Sequence, residues 1–190
     1  MERTNNLMLV TVLLSLVVIV ACESPKKKIF TENDITIIPK PVKTELKSGS
    51  FKFTNNTKIV VSKEDQKEIV NILIEKVKNA AEWNMEIVDK VPSSDFIELV
   101  FDKSKAKDAY ELIVNSNNIT IKAGETGGFL YGMESLIQLL PPQINSSKVE
   151  NGTDWLVPCI EINDFPRFQW RGLMLDLSRH FFKKEYLLKT

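Results

Sequence analysis

Residues 110–140, Tyr-Glu-Leu-Ile-Val-Asn-Ser-Asn-Asn-Ile-Thr-Ile-Lys-Ala-Gly-Glu-Thr-Gly-Gly-Phe-Leu-Tyr-Gly-Met-Glu-Ser-Leu-Ile-Gln-Leu-Leu, change their period halfway along. From Tyr110 to Val114, and again from Ile119 to Lys122, apolar and polar side chains alternate, as they do in strands with one buried face. Asn115-Ser-Asn-Asn118 between them tolerates the left-handed backbone of a tight turn, so the two runs predict a hairpin. Beyond Gly124-Glu-Thr-Gly-Gly128 the spacing lengthens to three and four. Leu130, Met133, Leu136, Ile137 and Leu140 then share one face of a helix over 129–140, which Pro141-Pro142 ends. The glycines read as a turn needing positive φ, followed by a helix that lies close on its sheet. As a phosphate cradle they lack the Gly-Lys-Ser/Thr ending.

Upstream, Phe51-Lys-Phe53 and Thr57-Lys-Ile-Val-Val61 predict two strands joined at Asn55-Asn56. Ile69, Leu73, Val77, Ala80 and Ala81 predict an amphipathic helix over 64–83, with Ser62 as its N-cap. Residues 85–88 and 96–101 read as further strands. Ile35-Thr-Ile-Ile38 is a short extended segment running into Pro39-Lys-Pro41, where proline stops any interior ladder. A polar loop over 143–154 follows the second helix. The pattern implies an α+β unit over 35–150: a mixed or antiparallel sheet with two helices on one face.

With 25 basic and 25 acidic residues among 190, the charge is balanced, which excludes charge-driven binding of nucleic acid. One histidine and two cysteines, without Cys-x-x-Cys or His-Glu-x-x-His spacing, supply no metal site. No cofactor motif is present. Glu64-Asp65 is the only adjacent acidic pair at a helix start, where acids favour the helix dipole and stay solvated. Asn-x-Ser/Thr triplets at Asn55, Asn118, Asn145 and Asn151 follow from the abundance of asparagine.

Residues 7–20 form an unbroken apolar run, of signal-peptide length rather than the ~20 residues a spanning helix needs. Ile19-Val20-Ala21-Cys22 resembles a bacterial lipoprotein box. On that reading residues 1–21 are removed, and Cys22 is acylated and holds the chain on a lipid bilayer through a tether over 22–34. The expected location is the bacterial cell envelope. The other reading is an ordinary cleaved signal with an incidental cysteine. Lys26-Lys27-Lys28 reads as solvated tether, and Cys159, between Pro158 and Ile160, as a buried structural cysteine.

Residues 165–182, Phe-Pro-Arg-Phe-Gln-Trp-Arg-Gly-Leu-Met-Leu-Asp-Leu-Ser-Arg-His-Phe-Phe, place an apolar strand over 172–177, with Arg171 before it and Asp176, Ser178, Arg179 and His180 at its far end. A helix start over 183–188 follows. Polar groups at the carboxyl end of a strand suit the first strand of an α/β barrel. The same residues also fit a satisfied buried network, the commoner fate of a lone histidine.

Three blocks of this sequence, Ile38-Pro-Lys-Pro41, the run from Gly127 to Pro141 and the run from Phe165 to Phe182, resemble glycoside hydrolase family 20, the β-N-acetylhexosaminidases. The last block, with its Arg-Gly-x-x-x-Asp-x-Ser-Arg-His string, is the specific one. The resemblance implies that 35–150 is the family's N-terminal α/β domain, and that 165–190 opens an incomplete catalytic (β/α)8 TIM barrel. It implies N-acetylhexosamine-containing glycans as partners and substrate-assisted retaining hydrolysis without a metal or cofactor. Arg171 would hold the ring hydroxyls of the terminal sugar, with Asp176, Arg179 and His180 as supports of the site. The Asp-Glu pair that the family's chemistry uses does not occur in these 190 residues, so no catalytic residue is assigned within the chain. Two expectations follow: an N-terminal portion of an exported hexosaminidase, or a truncated, inactive lipoprotein carrying only the α/β module.

Overall fold

Ile97, Leu99, Leu112, Val114, Ile119 and Ile121 alternate with more exposed neighbours on three strands, and all six are shut off from solvent. They form the centre of a seven-stranded sheet. In the computed structural model, which describes residues 28–168, 170–177, 179 and 181–188, the strands are β1 (Lys43–Lys52), β2 (Lys58–Val61), β3 (Glu86–Val88), β4 (Phe96–Phe101), β5 (Tyr110–Val114), β6 (Asn118–Ala123) and β7 (Leu156–Asp164). Their order is β1-β7-β5-β6-β4-β2-β3. The strands from β1 to β6 in that order pair antiparallel, while β6, β4, β2 and β3 run parallel. The expected hairpin is β5–β6, pairing Tyr110 with Ala123 and Val114 with Ile119.

Two helices, α1 (Asp65–Ala81) and α2 (Thr126–Leu139), cover one face of the sheet and touch each other. From α1, Ile69, Val70, Leu73, Val77 and Ala80 are buried; from α2, Phe129, Met133, Leu136 and Ile137 are. The opposite face carries charged side chains. There Glu111, paired in register with Lys122, receives ion pairs from Lys122 at 3.3 Å and Lys105 at 3.4 Å.

The structure corrects several expectations. Strands 51–53 and 57–61 are not neighbours: β7, β5, β6 and β4 stand between β1 and β2. Asn55-Asn56 is a turn anchored elsewhere, since Thr54 and Thr57 on either side donate hydroxyl hydrogen bonds to the Asp95 carboxylate at 2.9 and 2.5 Å. β1 begins eight residues earlier than its apolar signal, because Lys43 to Gly49 lie on an edge strand where polar side chains serve as well. Ser62 is not the N-cap of α1; Glu64 holds that position. The Gln66 side-chain oxygen instead accepts the Ser62 and Lys63 N–H groups, at 2.7 and 3.1 Å.

Gly127 and Gly128 are not a positive-φ turn but the first turn of α2. Their expected second role holds. A Cβ on Gly128 would collide with the Ala109 carbonyl and the Ala123 methyl, one on Gly127 with the Asp108 carboxylate, and one on Gly132 would sit 2.6 Å from Ile121 Cγ2. Bare backbone is what lets α2 settle on β5 and β6.

The loop over 143–154 does not close the unit. It contains a 3-10 turn, Pro142–Asn145, that buries Ile144, and it leads into β7, which slots between β1 and β5 with Cys159 buried. The sheet therefore extends to Asp164. Beyond it, residues 170–177 form no strand. A strand is stable only when its N–H and C=O groups are paired, and no described segment pairs with them. The helix expected over 183–188 is a single turn, α3 (Lys184–Leu187). The signal segment and Cys22 lie outside the described residues, as do Ser178 and His180. No helix among the described residues is long and apolar enough to cross a membrane.

The seat of α2 is the testable element of this fold. Gly128→Val should lower stability by about 3 kcal/mol, the upper range for forcing atoms into a packed contact, read as a lower urea midpoint with an unchanged slope.

Candidate functional site

Where β7 ends, three segments enclose a cleft of about 620 Å³. One wall is a proline-bearing strap, residues 37–42. The second is the outward row of α2, Tyr131, Glu134 and Gln138, which the helical period places on one side. The third is the chain leaving β7 from Asp164 to Phe168, and then Arg171.

The strap is fixed at both ends. Ile37 is buried in the core, the Ile38 N–H donates to Gln138 Oε1 at 2.9 Å, and the Val42 N–H donates to Asp164 Oδ1 at 3.0 Å. The Ile38–Pro39 peptide is cis. The expected extended segment over 35–38 thus stays outside the sheet and packs beside it.

At the floor, the Tyr110 hydroxyl and Ser135 Oγ lie 2.6 Å apart, both buried. Burial pushes the Tyr110 phenol up from 10.0 to about 12; the Asp164 carboxylate adds to the rise, and the bond with Ser135 offsets part of it. Three carboxylates, Asp108, Glu134 and Asp164, face three cations, Lys40, Arg167 and Arg171, so the cleft is electrically balanced. Such a lining suits a neutral, hydroxyl-rich ligand better than a phosphate.

Arg171 is exposed at the mouth, its guanidinium carbon 5.5 Å from the centre of the Tyr131 ring, within cation–π range. Asp176 and Arg179 do not line the cleft. They form an ion pair with each other, Arg179 Nε to Asp176 Oδ2 at 3.2 Å, with the Asp176 side chain 46% and the Arg179 side chain 86% exposed. Such exposed pairs contribute little to stability. The structure therefore brings Arg171 to the cleft, leaves Asp176 and Arg179 outside it, and does not describe His180. Among the described residues no group of three His, Cys, Asp or Glu side chains could hold a metal ion.

Sequence reasoning missed Tyr131, Gln138 and Asp164. The first two were accessible, being the polar stripe opposite Met133 and Ile137 on the same helix. Asp164 was not, because its role depends on β7 ending beside a strap more than a hundred residues away.

The family model for glycosyl hydrolase family 20, domain 2, matches residues 34–165, which span the strap, both helices and the whole sheet. The chain therefore belongs to glycosyl hydrolase family 20. A β-hexosaminidase of Porphyromonas gingivalis is 33% identical over 177 residues, covering 90% of this chain and 23% of that protein. Another β-hexosaminidase, from Vibrio furnissii, is 29% identical over 147 residues, covering 77% of this chain and 22% of that protein. Among solved structures, the GH20 β-N-acetylhexosaminidase of Streptomyces coelicolor A3(2) matches with a TM-score of 0.73 at 26% identity, covering 85% of this chain and 33% of that one. The chain thus spans about a quarter of the length of these curated relatives.

The Tyr110 phenol gives the site a pH signature. Its folded-state value lies above its ordinary one, so folding favours the neutral form. That stabilisation is complete below about pH 10 and is lost as pH rises toward 12. Urea denaturation should show stability falling across this window, with that component missing in Tyr110→Phe.

Proposed function

We propose that these residues are the N-terminal portion of an exported β-N-acetylhexosaminidase, which removes terminal non-reducing N-acetylglucosamine or N-acetylgalactosamine. The observation that carries this reading is the continuity of the match. The domain 2 assignment over 34–165 runs directly into the Arg171 block, and the alignment with the Porphyromonas gingivalis β-hexosaminidase covers 90% of the chain.

In this reading the segment after β7 opens the catalytic barrel, and residues 172–177 become its first strand once neighbouring strands pair with it. The substrate's own acetamido oxygen attacks the anomeric carbon while a carboxylic acid protonates the leaving oxygen; a second carboxylate steadies the acetamido group, and water then opens the cyclic intermediate with retention. The adjacent Asp-Glu pair that does this work belongs to sequence beyond these 190 residues. Arg171 contributes binding. Its planar fork donates several N–H bonds in fixed directions to sugar hydroxyls, which a lysine would not reproduce. Asp176, Arg179 and His180 support that arginine. The chain is carried by Cys22, acylated after removal of residues 1–21, and the body is held at the membrane surface of the cell envelope through residues 22–34.

The protein purified from its own cells should release the aryl alcohol from an aryl β-N-acetylglucosaminide, and its intact mass should exceed that of the present 190 residues. Arg171→Ala should lower kcat/KM about a hundredfold, the equivalent of one or two hydrogen bonds to a charged group. A matching short mass without activity would leave the non-catalytic module instead, and a twofold effect of Arg171→Ala in active enzyme would remove the arginine's assigned role. Labelling of growing cells with radioactive palmitate should mark the protein, and Cys22→Ala should abolish the label. Retained label in that variant would defeat the anchor assignment.

A further inference from the structure

At the opposite end of β7 from the Arg171 cleft, roughly 25–30 Å away along a nine-residue strand, lies a second concavity of about 310 Å³. That volume is at the small end of the range for ligand pockets. It is assembled from three distant segments: Lys52–Phe53, the turn after α1, and residues 149–155.

Its aromatic floor is held in place by backbone contacts. Glu82 adopts the left-handed conformation, φ 57°, which stops α1 and turns the chain so that Trp83 meets Trp155 edge to face, ring centres 6.2 Å apart. The Glu150 N–H donates to the Ala80 carbonyl at 2.8 Å, tying the loop to the helix end, and the Phe53 N–H donates to the Trp155 carbonyl at 2.9 Å. Around this floor stand Lys52, Glu150, Asn151, Thr153 and Asp154. Among the described residues, none of these five side chains makes a hydrogen bond or an ion pair.

We propose that this concavity is a second, non-catalytic binding site for a neutral pyranose unit of a glycan. A pyranose offers an apolar C–H face and a rim of hydroxyls that both donate and accept. The concavity offers the complement: an indole with apolar surface, ringed by carboxylate acceptors, an amide that does both and an ammonium donor. A phosphate or sulfate group is disfavoured, because the local charge is one cation against two carboxylates and the carboxyl end of α1 adds negative dipole. Lys52 disfavours a bare quaternary ammonium, the other ligand class that aromatic surfaces and carboxylates attract. The site goes beyond the proposed hydrolysis: it would retain a chain of sugars at the domain's far end whatever happens at Arg171.

The test is a titration of the 190-residue chain with the β-1,4-linked trimer of N-acetylglucosamine, followed by proton–nitrogen NMR of the indole and side-chain amide groups. The Trp83 indole and Asn151 amide signals should shift saturably at millimolar sugar, and should do so equally in Arg171→Ala. Asn151→Ala and Asp154→Ala, both at exposed positions that leave the core intact, should each weaken binding by fivefold to tenfold. The proposal is overturned if those signals stay still at tens of millimolar trimer, or if choline moves them and the sugar does not. It is equally overturned if the sugar's effect survives both rim substitutions or vanishes in Arg171→Ala. None of these readouts depends on hydrolysis, so loss of the enzymatic reading would leave this one standing or falling by itself.

Discussion

The seat of α2 on β5 and β6 rests on three residues that bring no side chain of their own to the contact, Gly127, Gly128 and Gly132. Much else in the domain takes its place from that approach. It brings Ser135 within hydrogen-bonding distance of Tyr110, turns Tyr131, Glu134 and Gln138 outward as one wall of a cleft, and leaves room for α1 to pack alongside. The strap over 37–42 finds its anchor on Gln138 only because the helix stands where it does. A helix held farther off by ordinary side chains would keep its amphipathic pattern and lose this geometry.

What could be read from the sequence was whatever local periodicity encodes. β4, β5, β6 and both long helices have the alternating or helical spacing that their surroundings demand, and their observed limits fall close to the expected ones. β1 was half hidden, because the polar run from Lys43 to Gly49 gains its strand character from β7 and not from its own composition. Partner choice was hidden altogether. Nothing local to Phe53 or Ile59 shows that four other strands separate β1 from β2, or that residues 156–164 return to fill the gap between β1 and β5. The apolar run over 172–177 misled in the opposite sense: alternation and apolarity predict a strand, but a strand also requires a neighbour. Of the site, Arg171 was legible through its motif, whereas Gln138 and Asp164 acquire meaning only where distant backbone amides reach them.

The distribution of apolar surface separates the described chain into two parts. Among the described residues, every buried hydrophobic side chain lies between Ile37 and Ile162. From Phe165 onward the large apolar residues face solvent, among them Phe168, Trp170, Leu173, Met174 and Phe181. Apolar surface on that scale carries a free-energy cost in water that burial against further structure would remove. This supports reading the segment as one whose partners lie outside the sheet domain, in keeping with relatives several times the length of this chain.

The pairing of β1 with β7 sets an order of events for a growing polypeptide. Lys43 and its partner Asn163 are separated by more than a hundred residues, so β1 emerges from the ribosome long before the strand that completes it. Throughout that interval its backbone N–H and C=O groups lack their native partner and are open to pairing with any exposed strand. Lys43, Glu45 and Lys47, exposed along β1, make such a mispairing unfavourable, and Lys47 afterwards closes on Glu161 of β7 at 2.7 Å. One set of charges guards the unpaired segment and then helps to fasten the finished sheet.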